Sequence, residues 1–299
     1  VSDGTKIEWT EATWNPVTGC TKVSAGCKHC YAERDWARLS ANKATRYFGR
    51  DFTDVQCHED VLDLPQRWTR PRRIFVNSMS DLFHPSVPFG FIADVFGEMA
   101  IADWHTFQVL TKRPERMLEF FASHENHPAP SNVWLGVSVE DQAAADERIP
   151  LLLKTKAAVR WISAEPLLGR VDLCETFGMW WNQTMDCFES TSAAGFNRNP
   201  NNLRETAIDW VVVGGESGPK ARPMRAEWAR SLRDQCAAAG VAYLFKQWGE
   251  WAPYNRGRQD GAVLETENSL DMPMQRVGKK LAGRMLDGVQ HDGYPKGGA

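Results

Sequence analysis

Six short apolar runs recur along the chain, each rich in β-branched or aromatic residues and each closing on small or polar ones. They are RIFVNSMSD from Arg73, TFQVLTKRP from Thr106, NVWLGVSVED from Asn132, VRWISAEP from Val159, DWVVVGGES from Asp209 and VAYLFKQWG from Val241. Runs of this length and composition read as strands. Between them, apolar positions return at three- and four-residue spacing over 91–103, 114–123, 141–154 and 225–239, which predicts amphipathic helices. The stretch 14–20 offers one further strand at the front. Strands that are continuously apolar suit a parallel sheet covered on both faces. The expected fold class is therefore α/β, a complete or partial (β/α) barrel of six to seven parallel strands.

Two stretches break the alternation. Residues 174–207 are rich in Asn, Ser and aromatics without a period, and read as an insertion after the strand that ends at Glu165. Such a loop would hang over the face of a barrel where chemistry occurs, as a lid carrying Trp180 and Trp181 or as a solvated excursion. After Trp251 the chain turns Gly-rich and polar, with one short helix expected over 279–286. The domain reading is a barrel over 1–250 with the insertion, and a tail over 251–299 packed on it.

Composition narrows the class. A chain of 299 residues suits one barrel, and 42% hydrophobic with 24% charged residues provides both a core and a solvated exterior. The net charge of -3 argues against holding nucleic acid by global attraction. A local basic face escapes that count, and Arg67, Arg70, Arg72 and Arg73 around Trp68 form a stretch able to meet phosphates and stack on bases, or simply a solvated surface. No apolar run approaches the ~20 residues that span a bilayer, and the N-terminal stretch lacks the pattern of a signal peptide. A cytoplasmic protein without membrane contact is expected.

The chemistry begins with cysteine. Of seven cysteines, Cys20, Cys27 and Cys30 crowd into one Gly- and Lys-flanked loop, while Cys57, Cys174, Cys187 and Cys236 are scattered. In a reducing compartment such a cluster reads as metal ligands rather than a disulfide framework. Three thiolates on one loop can mount an iron-sulfur cubane and leave one iron open for an exogenous ligand. The competing reading is structural zinc completed by His29 or His58, which would make the chain a non-enzymatic interaction module.

The loop TWNPVTGCTKVSAGCKHCYAE, together with VNSMSDLFH, QVLTKRP, GVSVED, WISAEPLLG, VVVGGESGPKARPM, FKQWGEW and GKKLAGRMLDG, resembles a phage- and prophage-encoded branch of the radical S-adenosylmethionine superfamily. These segments span nearly the whole chain outside 174–207. The first cysteine gap is six residues where the superfamily usually has three, and His29 stands where an aromatic is usual. The resemblance implies a 4Fe-4S cluster on Cys20, Cys27 and Cys30, S-adenosylmethionine as cofactor, and a reductant protein such as flavodoxin or ferredoxin. It also implies a radical reaction, with a nucleic-acid base or nucleotide as the favoured substrate, in the setting of phage DNA hypermodification. A methyltransferase without radical chemistry leaves the cysteine loop unexplained.

In a βα barrel the C-terminal strand ends face the reaction chamber. Here they are polar throughout: Asn77, Ser78, Ser80 and Asp81, then Thr111, Lys112 and Arg113, Ser138 and Glu140, Ser163 and Glu165, Glu216 and Ser217, and Lys246 and Gln247. By similarity to the superfamily, Asn77 to Asp81 should approach the methionyl amino group. Ser138, Glu140 and Glu165 are candidates for the remaining polar groups of the cofactor, and Lys112 or Arg113 for its carboxylate. Glu216 is the candidate for orienting substrate, and the glycines of GGESGPKARP for close backbone approach to adenine or substrate. For each residue, a salt bridge or helix cap is the competing role.

Overall fold

The computed structural model describes residues 2–124, 128–177, 179–182, 187–190, 208–254, 263–264 and 272–295. Its class is α/β, a partial barrel with seven parallel strands: β1 (Ala12–Trp14), β2 (Arg73–Val76), β3 (Thr106–Thr111), β4 (Val133–Ser138), β5 (Val159–Ala164), β6 (Trp210–Gly214) and β7 (Ala242–Gln247). Helices α1 (Tyr31–Ser40), α2 (Phe89–Ile101), α3 (Pro114–Ser123), α4 (Gln142–Lys154) and α5 (Ala226–Ala239) alternate with them. The chain divides into two compact units, one chiefly Val1–Ser138 with Pro150–Arg160, the other Val139–Ile149 with Trp161–Pro295.

In the first unit β1 to β4 lie side by side in chain order, all parallel, with Ser2–Asp3 antiparallel on the outer edge of β1. Every residue of β4 is buried, as its unbroken apolar run requires of a strand covered on both faces. Helix α2 sinks Phe91, Ile92, Val95, Phe96 and Met99, an i, i+4, i+8 stripe with its neighbours. Helix α3 starts on Pro114, whose missing N–H costs nothing in a first turn, and its Phe120 stacks on Phe96 with centroids 5.5 Å apart. Helix α1 is an element the apolar pattern does not announce. It buries only Ala32 and Trp36, one turn apart, so its apolar stripe is too thin to read.

In the second unit β6 lies between β5 and β7, parallel to both. Helix α5 covers one face of this sheet, with Tyr243 Oη donating to Ala229 O at 3.1 Å, and ends on Gly240 at φ 69, a left-handed value that suits glycine. The C-terminal segment packs on the same unit. Asp287 meets Arg230 and Arg233 of α5 at 2.6 and 2.7 Å, and Phe245 N donates to His291 O at 3.0 Å. The helix expected over 279–286 is confined to Lys279–Ala282, because Met285–Leu286 turns into a two-residue strand against Val289–Gln290. Within 174–207, Met179–Asn182 and Cys187–Ser190 pair antiparallel. The remainder of that stretch, apart from 174–177, lies outside the described residues.

Candidate functional site

The cysteine loop leaves β1 through a crowded passage. Val17–Thr18 pairs with Gln56–Cys57, and Gly19 forms a parallel bridge with Ser80. Gly19 stands at φ 91, and a Cβ there would lie 2.3 Å from Asp54 O, so only glycine passes. Cys20 N then donates to Phe52 O at 2.8 Å. A single 3-10 turn, Ala25–Cys27, carries the chain on to Cys30, which caps the N-terminus of α1. Tyr31, the first helical residue, donates its hydroxyl to Ser78 O.

Arg113 braces the loop. Its Nη1 donates to Asp81 Oδ2 at 2.9 Å and lies 3.8 Å from Cys20 Sγ, while Nη2 donates to Thr21 O at 2.9 Å and to Thr21 Oγ1 at 3.1 Å. Asp81 is in turn saturated. Oδ1 accepts from Thr111 Oγ1 at 2.8 Å and Phe83 N at 3.0 Å, and Oδ2 also accepts from Lys112 N at 3.1 Å. His84 Nδ1 accepts from Ser86 N at 3.1 Å, so in the neutral ring Nε2 carries the proton and donates to Thr21 Oγ1 at 2.8 Å. Burial, helped by the Arg113 charge, lowers the His84 pKa and keeps that ring neutral.

None of the three cysteines is in a disulfide, and all are partly accessible. Burial, with the Asp81 carboxylate nearby, pushes the Cys20 thiol up to about 11 against the pull of Arg113. Burial also raises Cys30, outweighing the Glu33 and Ala32 amides that favour its thiolate. Cys27 interacts electrostatically with both. The Cys20 and Cys30 thiols are thus protonated at neutral pH, and metal binding would displace those protons. This donor set, three thiols on one braced loop, fits a cubane held at three of its irons. Among the described residues no three His, Cys, Asp or Glu side chains close on a single-ion site. His58, a candidate fourth zinc ligand, has its Nε2 2.7 Å from Thr18 Oγ1, and burial brings its pKa down to about 4.

The strand-end residues after β2 are spent on this loop. Asn77, at φ 61, accepts from Val17 N through Oδ1 at 3.1 Å, and Ser80 Oγ donates to Val17 O at 2.7 Å. Ser78 Oγ donates to Asn15 Oδ1 at 3.2 Å, which also accepts from Met79 N at 3.0 Å. The one unused group in the set is Asn77 Nδ2, a buried donor that makes no hydrogen bond. Ser138 is buried at the end of β4. Asn15, Thr21, Tyr31 and His84 are contributors that sequence reasoning missed. All lie in or beside recognised motifs, but nothing local marks them as partners of the loop.

In the second unit each candidate carboxylate has a cation. Glu140 pairs with Arg148 of α4 at 2.9 Å, Glu165 with Lys246 at 3.0 Å, and Glu216 with Arg222 at 2.6 Å. The last pair is bidentate, reinforced by Arg222 N donating to Glu216 Oε2 at 2.8 Å. Glycines after β6 and β7 also serve close approach within the chain itself. A Cβ on Gly215 would lie 1.9 Å from Trp248 O, and one on Gly249 2.1 Å from Glu216 O, so their close approach is between the two segments that follow β6 and β7. The basic stretch is likewise engaged internally: Arg67 pairs with Asp63 at 2.7 Å, Arg73 with Glu11 at 3.4 Å, and Arg72 lies over the Trp68 ring at 5.3 Å.

No helix among the described residues is long and apolar enough to cross a membrane. No curated protein matches the chain. Among solved structures, it is similar to a cysteine-to-serine mutant of spore photoproduct lyase at 10% identity, covering 94% of this chain and 72% of that one, with a TM-score of 0.41. A cysteine-to-alanine mutant of the same lyase with dinucleoside spore photoproduct matches at 11% identity over the same shares, with a TM-score of 0.40. The family described as "Protein of unknown function (DUF5131)" has a model that matches residues 4–295, and the chain belongs to that family.

Proposed function

We propose that the protein is a radical S-adenosylmethionine enzyme that mounts a 4Fe-4S cluster on Cys20, Cys27 and Cys30 and modifies a nucleic-acid base or nucleotide. The observation that carries the reading is the loop itself. Three unpaired thiols stand on one segment, and the buried Asp81–Arg113 pair is spent on holding that segment still. When bound, the cluster supplies the electron that cleaves S-adenosylmethionine reductively to methionine and a 5'-deoxyadenosyl radical, which takes a hydrogen atom from substrate.

The chain's own residues set the stage for that chemistry. Arg113 keeps a positive charge beside Cys20, which favours its thiolate form. The Gly19 passage and the Tyr31 hydroxyl fix both ends of the loop. Asn77 Nδ2 is a buried donor available to a polar group of the cofactor. Ser138 and Glu140 remain candidates for cofactor contacts, Glu165 for a cofactor or substrate contact and Glu216 for orienting substrate, in each case by sharing or exchanging a partner they already hold. A small electron-transfer protein such as flavodoxin or ferredoxin would deliver the electron.

Anaerobic reconstitution with iron and sulfide, followed by electron paramagnetic resonance of the reduced protein, tests the reading. A 4Fe-4S signal that changes on adding S-adenosylmethionine and disappears in Cys27→Ala is expected. Stoichiometric zinc without sulfide would overturn it in favour of a zinc-stabilised interaction module. Filter binding that shows no salt-dependent affinity for DNA, RNA or nucleotides would remove the nucleic-acid part alone.

A further inference from the structure

Strand register in the second unit decides which side chains share a face. Val212 pairs with Ser163, Trp210 with Trp161, and Gly214 with Gln247. Partners on parallel strands, and residues two apart on one strand, point to the same side. Ser163, Glu165, Gly214 and Gln247 therefore share one face with Trp161 and Trp210. Tyr243 belongs to the opposite face, and its hydrogen bond to Ala229 O shows that α5 covers that side.

The face turned away from α5 is layered. Toward the N-terminal strand ends it carries the Trp161 and Trp210 rings, 5.3 Å apart. Toward the C-terminal ends it becomes polar, where parallel α/β folds carry their chemistry. The register shifts between Val213 and Gly214, which makes Lys246 the extra residue of a bulge. Bulges re-aim side chains, and Lys246 Nζ comes to 3.0 Å from Glu165 Oε1. Gly214 makes room for this: a Cβ there would lie 2.4 Å from Glu165 Oε1. Ser163 Oγ donates to Glu165 Oε2 at 3.3 Å.

Gln247 has no such explanation. Its side chain is buried, yet Oε1 accepts no hydrogen bond. A buried acceptor left unmade costs stability, and a donor brought to it by a ligand would recover that cost. Beside it, each oxygen of the Glu165 carboxylate has a second lone pair beyond the donor it already holds. The cluster thus presents the Gln247 amide and a carboxylate around one ammonium. A carboxylate or phosphate would meet repulsion from Glu165, and a protonated aliphatic amine repulsion from Lys246. A neutral ring N–H next to a carbonyl avoids both.

We infer that the C-terminal ends of β5, β6 and β7 form a subsite for the N–H and C=O edge of an oxo-nucleobase, read by Gln247 and Glu165 as acceptors and Lys246 as donor. This deepens the nucleobase-substrate reading and rests on it.

Isothermal titration of the full chain, without cluster reconstitution, with guanosine and uridine and with 1-methylguanosine and 3-methyluridine tests the subsite. Binding of at least one parent nucleoside is expected, with its methylated derivative at least about tenfold weaker, since the donor is removed. Gln247→Leu should weaken the parent by about tenfold while leaving the melting temperature equal or higher, because an orphaned acceptor has gone. Equal binding of the methylated nucleosides, no binding of either parent at millimolar concentration, or a Gln247→Leu chain that is destabilised or fails to fold would each overturn the proposal. These titrations need no cluster, so their failure leaves the paramagnetic resonance result standing, and the converse holds.

Discussion

Asp81–Arg113 and Glu140–Arg148 are both buried carboxylate–guanidinium pairs just beyond strand ends, each with an N–O distance of 2.9 Å. They differ in what they join. Glu140 and Arg148 connect the end of β4 to the helix that follows it, and Glu140 is only 1% exposed. Asp81 and Arg113 come from separate βα turns and reach a third segment, the cysteine loop, at Cys20 and Thr21. The first pair locks a local turn; the second transmits the rigidity of two strands to a loop that carries little regular structure beyond one 3-10 turn. Similar geometry therefore serves stability in one unit and placement of the cysteine loop in the other.

The comparison is sharpest in stability measurements. Arg148→Met leaves Glu140 buried without its countercharge and should cost about 3–5 kcal/mol in denaturant unfolding, with cluster content per folded molecule unchanged. Cluster loss in that variant would erase the distinction. Arg113→Met should cost about 3 kcal/mol, the lower end for a broken buried pair, and should lower iron and sulfide content even in the folded fraction. Arg113→Lys restores the charge without the two-pronged hold on Thr21, so it should recover stability more than cluster content.

Two smaller effects probe the surroundings of each region. Gly215→Ala drives a methyl group into the Trp248 carbonyl and should cost about 1–3 kcal/mol, visible as a lowered unfolding midpoint, without touching the cysteine loop. The smallest effect is expected from pH. The folded state holds the His58 pKa near 4, below its ordinary 6.5, so the unfolded chain binds more protons between those values and stability falls as pH drops through that window. Replacing His58 with Gln should flatten that part of the stability profile relative to the native chain, and an unchanged slope would show that the ring charges freely.

Much of this architecture was legible in the chain. The six later strands fall within their apolar runs, and α3 occupies 114–123, as its spacing predicts. Strand and helix periodicity is a local property, written by which side chains must leave water together. The cysteine loop was equally legible because three thiols at short spacing have few other uses. Helix α1 was not, since it is held by a single buried tryptophan and flanked by charge. The partners of the basic stretch around Trp68 were not legible either: Asp63 and Glu11 pair with two of its arginines.

By itself, the sequence determined the class of fold, the succession of its six later strands and the crowding of three thiols on one loop. Only the tertiary structure decided how the polar strand ends are used. Asp81 became a brace for Arg113, Glu140 and Glu216 acquired arginine partners, and the bulge at Lys246 turned its ammonium toward Glu165. The reason is physical. Burial follows from local hydrophobic pattern, whereas a charged group buried by folding must find its partner wherever strand register brings one, often tens of residues away.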